Sequence, residues 1–292
     1  MSTSTTQPSV LYDVPGPRGR ARNRLVGVAA TLVLAAVLAF VVWRFWETGQ
    51  FSAKKWSIFE YRTVQENLLR GLLNTLRAAA VATVLALVLG ALLAAARISD
   101  HAVVRVPATV FVELFRAIPL LLLIFFFYYG SPELGLVVST FWAVVIGLTL
   151  YNGSVLAEIF RAGLLSVPKG QREAAFALGL RKTAVVRLIL LPQAVRAMLP
   201  AIVSQMVVLL KDTALGFLIT YRELLTEGRA LTSSPAFEFP TIPVALVVSA
   251  MYIVMCLGLS WLATRLERRY GRVRVSAADT MGQGAVGPPG PA

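Results

Sequence analysis

Cys256 is the only cysteine in the chain and His101 the only histidine. One cysteine excludes an intramolecular disulfide and a cysteine-built zinc site. One histidine excludes a His-Glu-x-x-His site or a multi-histidine metal cluster. No lysine follows a glycine in the 292 residues, so the Gly-Lys-Ser/Thr phosphate loop is missing and the chain hydrolyses no nucleotide by that route. Charge is also scarce, at 15% of residues, where an average soluble domain carries about 25%. What the chain has is apolar length: 57% of it is hydrophobic and its mean hydropathy is +0.71. That balance excludes both a soluble globular domain and a disordered chain.

The net charge of +13 would fit nucleic-acid binding if it formed a patch. It does not, because the basic residues alternate with apolar runs. Six such runs cover roughly residues 25–45, 68–96, 106–129, 136–157, 194–219 and 242–262. Each is long enough to cross a hydrocarbon core of ~30 Å. Backbone polar groups in lipid must be satisfied internally, so these runs are expected to be helices. The first run is too long for a signal peptide and is followed by Trp43, Arg44, Phe45 and Trp46 rather than a small-residue cleavage site. Arginines crowd the segment before the first run (Arg18, Arg20, Arg22, Arg24) and the C-terminal tail. Further basic residues lie between the second and third runs (Arg97, Arg105) and from Arg161 to Arg196. The opposite side has Lys54, Lys55, Arg62, Arg222 and Arg229 among several glutamates. The bias places both termini in the cytoplasm.

The expected organisation is a disordered basic cytoplasmic tail (1–24), a first membrane helix (25–46) and an external connection (47–65). A membrane core (66–267) with a loop at 166–192 follows, then a cytoplasmic tail (268–292) that is Gly/Pro-rich at its end. In the second run Ala78, Ala82, Ala86, Gly90 and Ala94 recur every four residues. On a helix they make one smooth ridge that a neighbouring helix can approach closely.

The cytoplasmic loop between the fourth and fifth runs is unusual. Ala174, Ala175, Ala177, Leu178 and Leu180 sit among Lys169, Arg172, Glu173, Arg181 and Lys182. This reads as a short amphipathic helix outside the membrane, entered through Pro168-Lys169-Gly170. Gly179 can end it in a left-handed turn. Such a helix suits docking into a cytoplasmic protein, and equally suits lying on the membrane surface without a partner.

Glu173-Ala174-Ala175, then Gly179, Ile189 and Leu191-Pro192 at the family spacing, resembles the EAA motif of permease subunits in bacterial ABC importers. The stretches around residues 71–76, 113–119, 157–161 and 211–215 resemble the branch that imports polar amino acids. Ala117 and Ala214 stand where that branch commonly has Gly and Ser. The extra first helix and the tail LYDVPGPRGRARNR resemble the longer permease of glutamate/aspartate-type systems. The resemblance implies an all-α fold: a five-helix type I importer core plus one N-terminal membrane helix, six in total. It also implies three kinds of partner: an ATPase dimer in the cytoplasm that uses ATP and Mg²⁺, a second permease subunit, and an external solute-binding protein. The chain itself would bind no cofactor, no metal and no nucleic acid, and would catalyse nothing. Glu173, Ala174, Ala175 and Gly179 would couple it to the ATPase.

Charged and polar groups within membrane segments are functional candidates by default. Arg77, Glu158, Lys211, Asp212 and Thr213 are the candidates for the substrate path. A break in the fifth run at Lys211–Thr213, helped by Gly216, would expose backbone amides near mid-membrane. Glu113 with Arg116, and Glu158 with Arg161, are three apart and can pair on one helix face. Internal neutralisation alone would also account for both pairs. The favoured substrate is glutamate or aspartate; glutamine, cystine or a basic amino acid is the alternative. An ATP-independent channel or carrier would leave the EAA segment without a role, and a membrane enzyme would lack a catalytic cluster.

Overall fold

The computed structural model describes residues 16–270, and residues 266–270 by their backbone only. The expected tails at 1–15 and 271–292 lie outside the described residues. Among the described residues every regular element is helical. Five helices among them are long and apolar enough to cross a membrane, and the count is six if a pair bent by 100° is taken as one span.

Helix α1 (Pro17–Glu47) buries none of its residues. A helix apolar on all sides with no protein neighbour has lipid as its solvent. It begins at Pro17, eight residues inside the stretch expected to be disordered. Proline suits the first helical position because its missing N–H would be unpaired there anyway. One turn, α2 (Ala53–Trp56), and a 3₁₀ turn follow, and then α3 (Arg62–Arg97) returns across the membrane.

The alanine ridge of α3 is its buried face: Ala78, Ala82, Ala86, Gly90 and Ala94 are all buried. They pack against α6 (Thr140–Leu165). A methyl group on Gly90 would sit 2.8 Å from Leu156 Cβ and 3.0 Å from the Gly153 carbonyl oxygen. The two backbones approach closely because each lacks a side chain where the other presses.

The third apolar run is not one straight span. It forms α4 (Ala102–Ala117) and α5 (Leu120–Phe125), continued by a π turn through Gly130, bent by 100° across a short break. The cause is Pro119. It holds Ile118 extended (φ −79°, ψ 125°) and has no N–H to continue the ladder. The bend drives Ile124 into the core, where a Cβ on Gly147 of α6 would meet its Cγ1 at 2.8 Å.

On the cytoplasmic side lie α7 (Lys169–Ala177), α8 (Lys182–Ala184) and a π stretch, Val185–Leu190, leading into α9 (Leu191–Asp212). Asn152 of α6 is fully buried; it donates to the Leu148 carbonyl at 2.9 Å and accepts from Gln205 of α9 at 2.8 Å. This pairing satisfies a polar side chain that would be costly left alone in a membrane core.

The expected break at Lys211–Thr213 is absent. The α-helix tightens into a 3₁₀ helix, Thr213–Ile219, so its amides stay paired. Thr213 is buried and its hydroxyl donates to the Leu210 carbonyl at 2.7 Å. The chain turns one residue later, at Thr220, with φ +59°. Helix α10 (Leu224–Thr232) is then capped by Glu223, whose carboxylate accepts from Thr226 N at 2.6 Å and Leu225 N at 2.8 Å. It is wedged between α3 and α11 (Thr241–Tyr270), with Leu68, Leu224, Val244 and Val248 between them. Across this external end Lys54 and Glu238 pair at 2.9 Å, joining two connections that the charge bias assigns to one side.

Candidate functional site

The cytoplasmic loop folds as a helix with two different faces. Pro168 precedes α7, and Gly179, at φ +76°, stops it. The left-handed turn lets Gly179 N donate to Phe176 O (2.9 Å) and Leu180 N to Ala175 O (3.2 Å), so the terminal carbonyls are not left bare. Ala175 is 2% exposed and packs with Val185 and Leu190. On the other face Glu173 and Ala174 are exposed, and so are Phe176 (46%) and Leu178 (81%). An apolar patch beside an acidic residue, held out on a helix whose back is packed, is a docking surface in form. Of the expected coupling residues, Glu173 and Ala174 face outward. Ala175 faces its own chain and seats the helix, and Gly179 sets its end.

A chain of polar contacts runs inward from this platform. Lys182, just past α7, donates to Asp100 Oδ1 at 2.5 Å and to the Ile98 carbonyl at 3.1 Å. That hydrogen bond, with the lysine's charge, holds the Asp100 carboxyl below its ordinary value. Three residues earlier Arg97, 9% exposed, donates to Glu158 of α6 at 2.7 Å and lies 3.4 Å from Glu113 of α4. Glu158 also accepts from Arg161 at 2.6 Å and has Arg116 at 4.0 Å. The expected Glu158–Arg161 pair is therefore formed. The expected Glu113–Arg116 pair is not: each takes a partner on another helix, because α3, α4 and α6 converge here. Arg97, which bridges both carboxylates of this cluster, was not singled out from the sequence. Its position at the end of a membrane run read simply as a positive-inside flank.

The substrate-path candidates are dispersed. Among the described residues no hydrogen bond or salt bridge joins Arg77, Glu158 and Lys211. Arg77 is exposed, with its guanidinium 4.9 Å from the centre of the Phe141 ring. Lys211 is exposed on a groove it shares with Ser249, Tyr252 and Cys256. Asp212 is half-buried and makes no salt bridge with its neighbour. Sequence reasoning also missed the external clasp around Glu223. Fully buried, this carboxylate accepts from Tyr252 Oη at 2.6 Å, while Tyr221 Oη donates to the Asn74 carbonyl at 2.9 Å.

The model of the family described as "Binding-protein-dependent transport system inner membrane component" matches residues 57–272. The chain belongs to that family. Its α1 lies before the matched region, as an addition to the shared core. Among curated relatives, the glutamate transport system permease protein GluD of Corynebacterium glutamicum is 45% identical over 232 residues, covering 77% of this chain and 84% of that protein. The probable glutamine ABC transporter permease protein GlnP of Bacillus subtilis is 37% identical, covering 68% of this chain and 91% of that protein. Among solved structures, an amino acid ABC transporter crystallised with histidines superposes with a TM-score of 0.67 at 29% identity, over 73% of this chain and 97% of that one. An inward-facing form of the MetNI methionine transporter shares the fold, with a TM-score of 0.60 at 21% identity over 72% and 99%.

This family member is thus a multi-pass inner-membrane permease subunit of an ABC importer, with a transport role rather than a catalytic one. The family's architecture of ATPase, permease pair and solute-binding protein is the setting in which its cytoplasmic loop has to be read.

Proposed function

We propose that this permease carries glutamate or aspartate inward across the bacterial inner membrane. A cytoplasmic ATPase dimer would drive it through α7, an external binding protein would deliver the amino acid, and a second, shorter permease would complete the path. The single observation that supports the coupling role is α7 itself. Its Ala175 face is packed on Val185 and Leu190, and its Glu173–Ala174–Phe176 face is left open. ATP binding would close the ATPase dimer and displace α7, and the permease pair would rock between its two facings. Both ATP and the loaded binding protein must then bind the outward-facing state better, because a ligand shifts an equilibrium only by its differential affinity.

The acidic substrate is supported by the relative named for glutamate transport. Arg77, Lys211, Asp212, Thr213 and Glu158 are proposed to line the path, with Arg77 and Lys211 the cations suited to a side-chain carboxylate. The coupling role is tested by Glu173→Lys in the complete importer. Uptake should be lost with the chain still in the membrane; uptake at the wild-type rate would count against it. The substrate is tested by uptake of labelled L-glutamate into proteoliposomes holding the complete importer. Competition by aspartate supports the proposal, and competition only by glutamine, cystine or a basic amino acid replaces it.

A further inference from the structure

The turn between α3 and α4 is four residues long, Ile98–His101, and two independent polar contacts meet at it. On its cytoplasmic side Lys182 grips it twice, through the Asp100 carboxylate and the Ile98 carbonyl. On its membrane side Arg97 binds Glu158 of α6 and approaches Glu113 of α4. Lys182 in turn stands at the start of the segment whose Val185 and Leu190 hold Ala175 of α7. Ile98, Lys182, Arg172 and Phe176 line one small cavity, so the turn lies beside α7 itself. The segment from Val185 to Leu190 is wound as a π-helix. Such windings are rare and recur at functional sites.

We propose that Lys182 is a positioning residue for transport. It ties the α3–α4 turn to the coupling segment, so that displacement of α7 is delivered through Asp100 to Arg97 and from there to the carboxylates of α4 and α6. This rests on the reading that α7 seats on the ATPase. Three features support it. The Lys182–Asp100 pair is exposed on both sides, and exposed pairs contribute little to the stability of a fold. Its sequence separation of 82 residues means that it fixes the relative position of two segments rather than one element's local shape. The route is also continuous: packing joins Ala175 to Val185, the segment itself leads to Lys182, a hydrogen bond reaches Asp100, the backbone of the short turn leads to Arg97, and a hydrogen bond reaches Glu158. A displacement at one end has a physical route to the other.

The test uses the complete importer in proteoliposomes, with its ATPase and binding protein, and four forms of this chain: wild type, Asp100→Lys, Lys182→Asp and the double exchange. Uptake, ATP hydrolysis with and without loaded binding protein, and retention of the ATPase on purification are measured for each. The proposal expects both single reversals to keep the ATPase and to lose about tenfold in uptake per ATP hydrolysed, within the range coupling energies span. The double exchange should recover most of that loss, which a merely structural fault in either segment would not do. Unchanged uptake per ATP in the single variants overturns the proposal. So does a double exchange no better than the singles. Loss of the ATPase from Lys182→Asp also overturns it and assigns Lys182 to docking. Glu173→Lys is run alongside: if it keeps full coupled uptake, the reading of α7 fails, whatever the exchange shows.

Discussion

Arg97 closes α3 and Glu158 sits in α6, and the two meet at 2.7 Å across 61 residues of sequence. Around them Glu113, Arg116 and Arg161 complete a cluster of three cations and two anions drawn from three helices. Glu158 accepts from two arginines, so it holds more of the cluster together than any of its neighbours.

Removing Glu158 should therefore cost more than removing Glu113. Glu158→Ala strands the nearly buried Arg97 with a single carboxylate at 3.4 Å, and an uncompensated buried charge costs about 3 kcal/mol. Glu113, 59% exposed, belongs to the weaker class, worth less than about 1 kcal/mol. Thermal unfolding in detergent separates the two. Equal shifts would mean that the cluster is not centred on Glu158.

The α3–α6 contact predicts a steric cost at Gly90. Gly90→Ala forces a methyl group to 2.8 Å from Leu156 Cβ. Overpacking of this kind costs about 1–3 kcal/mol. Gly258→Ala, with nothing within 4 Å, is the matched control and should leave the unfolding midpoint unchanged.

Gly179 should tolerate asparagine and reject valine. Its φ of +76° is in the left-handed region. That conformation costs most non-glycine residues about 1–2 kcal/mol, and asparagine less. In uptake assays Gly179→Val should be impaired and Gly179→Asn close to normal. Gly170→Ala, in open space in the first turn of α7, should be neutral.

The Lys182–Asp100 contact predicts a direction of titration. The Asp100 carboxyl lies below its ordinary 3.8 in the folded chain because Lys182 bonds and attracts its charged form. Its contribution is therefore complete above pH 3.8 and fades as pH falls through the lower folded value. Infrared difference spectra against Asp100→Asn should show a carboxylate throughout neutral and mildly acidic pH. Lys182→Met should move its titration upward.

Much of the core could be read from the sequence because membrane helices obey few rules. The ridge from Ala78 to Ala94 announced the buried face of α3, and Gly179 announced the end of α7. What was hidden depended on tertiary choices. Pro119 was visible, but hydropathy alone does not distinguish a straight span from one bent back on itself. Glu113 and Arg116 satisfied the spacing rule for a pair, and convergence of three helices gave each a different partner. Lys211-Asp212-Thr213 looked like a break, and a tighter winding kept its amides bonded. For the site, helix α7 was carried by a local pattern and so was visible. Arg97, Asp100 and Lys182 were not, because their partners are distant in sequence.

If this chain is held to a cytoplasmic ATPase through α7, as proposed, the two should leave the membrane together. Purifying the tagged chain from its native membrane in mild detergent, and identifying what accompanies it, tests that most directly. An ABC ATPase, a second EAA-bearing permease and an amino-acid binding protein should accompany it, with the ATPase cross-linking to the segment around Glu173. Recovery of the chain alone, even after cross-linking at that segment, would contradict it.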